Sequence, residues 1–210
     1  MKKTILLLVA LVIIAVIGIG IFNHLATDDL DLSGVKVAVL LDDEYNEKEA
    51  SSTINYLEKR NAEVAIVGIK SGSVSPYDKV RVSRDIDVLI KDICIDDYDA
   101  LVVPGGYSAT NLSENDEVLT FVRDFYNTNK PCAAICLGPV VFVNADIVNN
   151  KSITSYAGLQ NASSRAGANW ENTNVVVDSN IITSRRPQDL RRFNAEIGLM
   201  IYNNSKSDSN

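Results

Sequence analysis

The sequence predicts a single α/β domain in which a mostly parallel β-sheet is covered by helices on both faces. Three observations carry that prediction. Short strand-like segments (Val35 to Leu41, Glu63 to Ile69, Asp99 to Val103, Cys132 to Ile135) alternate with stretches of helical spacing, the pattern of βαβ units. The chain has 210 residues, enough for one well-buried core. Its 46% hydrophobic and 22% charged residues match ordinary globular proteins.

Val35 to Leu41, apolar except for Lys36, predicts a buried first strand, and residues 46–60 a helix with Ala50, Ile54 and Leu57 on one side. Asn61, which tolerates the left-handed conformation, stops that helix. Glu63 to Ile69 is a second strand, followed by a polar stretch containing Gly72 and Pro76. Asp99 to Val103 is a third, running into Pro104-Gly105-Gly106, and a helix covers residues 114–128. The strand Cys132 to Ile135 meets Cys136, and a helix over 138–146 follows. Strands at 152–155, 174–178 and 180–184 come next, and Pro187 opens a last helix to about residue 202. The domain thus spans 35–202, with a polar spacer at 28–34 and a polar, disordered tail at 203–210.

The N-terminus is of another kind. Lys2 and Lys3 precede an uninterrupted apolar run from Ile5 to Phe22. That length fits a transmembrane helix, which needs about 17–25 apolar residues, better than a secretory signal, whose apolar region is about 7–15. The exit, Asn23-His24-Leu25-Ala26-Thr27, is a poor cleavage site, so residues 1–27 are expected to be a membrane anchor, with a cleaved signal and secretion as the alternative. No Lys or Arg follows the run before Lys36, which places the domain on the extracytoplasmic side. The sequons at Asn111, Asn150, Asn161 and Asn203 are compatible with that side. The next cysteine after the run is Cys94, which excludes a lipoprotein anchor. A net charge of −7 repels phosphate backbones, so nucleic acid is not an expected partner. With three cysteines the chain is no disulfide scaffold, and Cys132 and Cys136, about 13 Å apart along a strand, are too far to bridge.

Sites in such sheets lie at the carboxyl ends of strands. Cys136 follows a strand of small and apolar residues and precedes a helix, with Gly138 relieving the crowding of a sharp turn, which is the geometry of a nucleophile elbow. A thiol there faces the positive end of a helix and free backbone N–H groups, which favour the thiolate. Gly105 and Gly106 can bring a second set of N–H groups to the same point, as an oxyanion hole requires. Spacing alone leaves an equal alternative, a small buried cysteine beside an ordinary Pro-Gly-Gly turn.

Ala134-Ile135-Cys136-Leu137-Gly138-Pro139 resembles the Ala-Ile-Cys-x-Gly-Pro elbow of the ThiJ/PfpI family, and Tyr98 to Gly106 resembles that family's strand into its Gly-Gly loop. Thr154-Ser155-Tyr156-x-Gly158, Ala166-Gly167-Ala168-x-Trp170, Val175 to Asp178 and Thr183-Ser184-Arg185-x-Pro187-x-Asp189-Leu190 follow in the family's order, so that the resemblance covers about Val35 to Ile201. It implies the class I glutamine amidotransferase-like, flavodoxin-like three-layer sandwich, with Cys136 as the reactive cysteine and Gly105 and Gly106 in the loop facing it. It also implies a homo-oligomer. No cofactor and no metal are expected.

Histidine is the main departure. Protease-like members carry His directly after the cysteine, where this chain has Leu137, and others carry it where this chain has Tyr156. The chain's one histidine is His24, so a Cys-His dyad is excluded. Tyr45-Asn46-Glu47-Lys48-Glu49 fits the family's aromatic-Glu-x-x-Glu helix start, which makes Glu49 the acidic partner of the sulfur and leaves Asn46 as a helix cap. Buried beside Cys136, Glu49 would be protonated part of the time and able to donate to a thiolate or sulfinate. For Arg185 a structural ion pair is the leading reading. Cys132, Cys94 and Trp170 are read as packing or contact residues. The functional expectation is a redox-sensing or small-molecule or peptide-binding role, with a cysteine-dependent hydrolase or lyase, peptidase or deglycase/glyoxalase, as the alternative.

Overall fold

Alternation along four strands builds the domain, because successive side chains of a strand point to opposite faces. The computed structural model describes residues 30–78 and 83–207, and from Asp31 onward the chain forms one compact unit. In β1 (Lys36–Leu40) Val37 and Val39 enter one core and Ala38 and Leu40 the other. The same division runs through β2 (Glu63–Gly68), β6 (Ala100–Val103) and β7 (Cys132–Ile135), so both faces of the sheet are apolar and both are covered. Helices α1 (Glu47–Glu58) and α6 (Leu190–Ser207) cover one face. The other is covered by α2 (Tyr107–Leu112), α3 (Asp116–Asn127) and α4 (Pro139–Asn144).

The seven strands lie in the order β10 (Val175–Asp178), β11 (Ile181–Ser184), β7, β6, β1, β2, β5 (Val88–Leu89). Neighbours are parallel except β10 with β11. This is the expected flavodoxin-like three-layer sandwich. Two small two-stranded sheets flank it: β3 (Ser73–Val74) with β4 (Arg84–Asp85), and β8 (Ser152–Ile153) with β9 (Asn169–Trp170).

The expected N-terminal transmembrane helix is corrected. Among the described residues no helix is long and apolar enough to cross a membrane. The three longest described helices, α1 and α3 at 12 residues each and α6 at 18, are amphipathic, with one face on the sheet and a polar face outward. The run from Ile5 to Phe22 lies outside the described residues. The membrane-anchored, extracytoplasmic placement and the membrane as partner therefore have no structural element among the described residues to rest on, and the described architecture is the α/β domain.

Other differences are local. Leu32, inside the stretch read as a spacer, is buried in the core and its N–H donates to Arg60 O at 2.7 Å. Pro187 opens a 3-10 turn, Pro187–Asp189, and α6 starts at Leu190 and runs to Ser207, into the stretch read as a disordered tail. The elements β3, β4, β5, α2 and α5 (Gln160–Arg165) were not expected, and each is too short, at two to six residues, to display a period in sequence.

Candidate active site

β1, β6 and β7 are neighbours whose carboxyl ends share one edge, and the chain leaves β1 toward β2 on one side and returns to β6 on the other. That reversal is where doubly wound sheets hold ligands. Cys136, directly after β7, takes φ 63°, the left-handed region that a non-glycine residue enters at a cost of about 1–2 kcal/mol. Its backbone is held at both ends: Cys136 N–H donates to Ser184 O at 3.0 Å and Tyr156 N–H donates to Cys136 O at 2.8 Å. Gly138 N–H closes the turn onto Ile135 O at 2.8 Å, and Pro139 opens α4. A Cβ on Gly138 would stand 2.2 Å from Val103 O, so β6 and the elbow pack this closely through glycine alone.

Glu49 arrives from α1. Asn46 caps that helix by accepting from Glu49 N–H at 3.2 Å, and Asn46 N–H donates to Gly105 O at 3.0 Å. Gly105 N–H then donates to Glu49 Oε2 at 2.8 Å, which fastens the carboxyl group to the Gly-Gly loop. A Cβ on Gly105 would lie 2.6 Å from Glu49 Oε2 and 2.7 Å from Cys136 Cβ. Glycine there is what lets the carboxyl group and the cysteine meet. Glu49 is fully buried, its polar side-chain neighbour is the Cys136 thiol, and Oε1 completes no hydrogen bond.

Burial pushes Glu49 up to about 7, although the Gly105 N–H and the thiol pull it down. Burial, then repulsion by the Glu49 carboxylate, pushes Cys136 up to about 12, against the backbone N–H groups of Leu137 and Gly106, which favour the anion. The favourable helix-end setting expected for the thiolate is thus outweighed by burial and by the neighbouring carboxylate, and α4 has only six residues. The two groups therefore share protons: a thiolate forms most readily when Glu49 holds the proton.

The site residues singled out in the sequence converge, with a division of labour. Gly105 N–H serves Glu49, whereas Gly106 N–H and the Leu137 N–H face the sulfur. Arg185 lies outside this constellation, bonded to Asp189, Asn172 and Asn174. Cys132 is buried, Cys94 exposed, and all three thiols are free. Trp170 Nε1–H donates to Ser155 Oγ at 2.8 Å. Among the described residues no cluster of three or more His, Cys, Asp or Glu is placed to hold a metal. Above the sulfur opens a pocket of about 490 Å³ lined by Asn46, Tyr77, Tyr107, Thr110, Leu137 and Tyr156 with Gly106 and Cys136. Tyr77, Tyr107 and Thr110 escaped sequence reasoning. For Tyr77 and Tyr107 the one signal was an aromatic residue beside a turn former, Tyr107 directly after Gly-Gly and Tyr77 directly after Pro76.

Fold and site together define a doubly wound α/β protein with a cysteine in a tight strand-to-helix elbow and a buried carboxyl group beside it. A model of the DJ-1/PfpI family matches residues 35–198, and the chain belongs to that family. Over 164 residues it is 36% identical to the Bacillus subtilis protein YraA, named as a candidate cysteine protease, covering 77% of this chain and 95% of that one. It is 35% identical over 162 residues to protein/nucleic acid deglycase 2 of Escherichia coli, covering 77% and 94%. Schizosaccharomyces pombe DJ-1 superposes with a TM-score of 0.72 at 25% identity, covering 83% of this chain and 98% of that one.

Proposed function

We propose that the Cys136–Glu49 pair acts on small carbonyl compounds. In the step the geometry suits, the Cys136 proton passes to Glu49 as the sulfur attacks a carbonyl carbon. The C–S bond forms, the C=O π pair moves to oxygen, and that oxygen takes up a proton to give a hemithioacetal. The N–H groups of Leu137 and Gly106 are donors available to the developing negative charge. The observation that carries this reading is Glu49 itself, buried against the thiol with its proton affinity raised to about 7, a base poised at neutral pH. Similarity to a deglycase supports the same chemistry.

Purified protein incubated with a small dicarbonyl and, separately, with peptides tests this. Turnover of the dicarbonyl is expected, abolished in Cys136→Ala and reduced about 10²–10⁴-fold in Glu49→Gln. Peptide turnover without carbonyl turnover, or full carbonyl turnover by Cys136→Ala, sinks the reading.

A redox role is a second reading, favoured by the two N–H groups facing the sulfur, which would also hold an oxidised sulfur anion. Hydrogen peroxide would transfer one oxygen to the thiol, giving a sulfenic acid and water. This reading fails if mild peroxide modifies Cys136 no faster than the exposed Cys94. The homo-oligomer implied by resemblance is a further part of the proposal, which sedimentation of the purified chain tests.

A further inference from the structure

Three tyrosines stand around the mouth of the Cys136 pocket, each brought by a different segment and each more than half exposed: Tyr77 at 53%, Tyr107 at 63% and Tyr156 at 53%. Large aromatic rings left open to water in one place mark a binding surface. The backbone that carries two of them is also anchored. Tyr77 N–H donates to Tyr45 O at 3.2 Å, and Tyr45 bridges to Gly106, the residue before Tyr107. Tyr156 is tied to Cys136 O through its N–H, and its carbonyl accepts from Ser155 Oγ at 3.0 Å, itself bonded to Trp170. The Tyr156 ring lies so close over Gly158 that a Cβ there would come within 2.5 Å of Cε1. Among the described residues that line the pocket none carries a charge, the remaining polar side chains being Asn46 and Thr110.

We propose that this pocket selects electrophiles bearing an uncharged flat ring, aromatic or heteroaromatic, with Tyr77, Tyr107 and Tyr156 as the ring-binding rim and Cys136 reacting at the floor. Aromatic faces pair with flat rings by offset or edge-on contact. The described lining offers a carboxylate or phosphate on the ligand no cation to pair with, and the chain's net charge of −7 opposes such a group further. The inference rests on the reading of Cys136 as the reacting group and adds the class of compound that reaches it.

The test uses alkylation, in which the sulfur displaces iodide, a C–S bond replaces C–I and the thiol proton leaves to water. Iodoacetamide, its N-benzyl and N-cyclohexylmethyl derivatives and iodoacetate are compared on the whole protein by peptide mass spectrometry, with the exposed Cys94 as internal standard. The Cys136:Cys94 labelling ratio is expected to be about threefold to tenfold higher for the benzyl reagent than for iodoacetamide, the gain one good aromatic contact supplies. It should be lowest for iodoacetate and fall back to the iodoacetamide level in Tyr107→Ala and Tyr156→Ala. Equal ratios for benzyl and cyclohexylmethyl reagents, or a benzyl preference that survives every tyrosine-to-alanine substitution, overturn the ring-binding rim while leaving the carbonyl reading intact. Failure of every reagent to label Cys136 overturns both.

Discussion

Replacing Glu49 by Gln is the sharpest perturbation this site offers, because it removes a buried ionisable group while keeping its shape. The carboxyl group ionises near 4.5 when exposed and near 7 in the fold. The folded state thus favours the protonated form: the stability that this preference contributes is fully present below pH 4.5 and is lost as pH rises through 7. Between those values the loss amounts to about 3 kcal/mol, at about 1.4 kcal/mol for each pH unit of displacement. Glutamine ionises at neither pH, and its side-chain oxygen can still accept from Gly105 N–H. The stability of Glu49→Gln relative to wild type should therefore rise by about 3 kcal/mol from pH 4 to pH 8, a sizeable part of the 5–15 kcal/mol typical of a domain. Urea unfolding at a series of pH values, followed through the fluorescence of Trp170, the chain's one tryptophan, measures this. Parallel profiles for the two proteins from pH 4 to 8 would refute the buried, proton-retaining carboxyl group. The same substitution removes the carboxylate that repels the Cys136 thiolate. Alkylation of Cys136 near neutral pH should accelerate even as carbonyl turnover falls, a contrast that a loss of folding cannot produce.

Cys136→Gly should be more stable than Cys136→Ala by about 1 kcal/mol in thermal unfolding, since only glycine occupies φ 63° without strain; the reverse order would mean the elbow is relaxed. Gly105→Ala should cost about 1–3 kcal/mol, because its Cβ meets Glu49 Oε2 and Cys136 Cβ under 3 Å. It should also change the pH dependence of Cys136 alkylation, and an unaltered profile would show that the carboxyl group and the thiol do not meet through this residue. Arg185→Ala should lower stability by about 1–3 kcal/mol through loss of its bonds to Asp189, Asn172 and Asn174, with the Cys136 alkylation rate unchanged. A selective loss of that rate at full stability would instead place Arg185 in the site.

The elbow and its carboxyl partner were legible because both are local. Cys136 with Gly138 and Pro139 is a strand end, a tight turn and a helix start within a few residues. Asn46 with Glu49 is a helix cap and its first turn. The tyrosine rim was not legible, since Tyr77, Tyr107 and Tyr156 come from three segments that meet only after β1, β6 and β7 align. The N-terminal apolar run shows the converse: hydropathy alone proposed a membrane helix, and no described helix has that character.

What the chain's order of residues determined by itself was the layering, because strands of alternating burial and helices with one apolar stripe can bury those surfaces only as a covered sheet. It also determined that no imidazole near the sulfur could come from this domain, since the one histidine is His24. The proton balance of the site was decided by tertiary structure alone. Whether Glu49 is an ordinary solvated carboxylate or a base poised at neutral pH depends on how much water the packing of α1 against the Gly105 loop removes, and that is a property of the assembled fold.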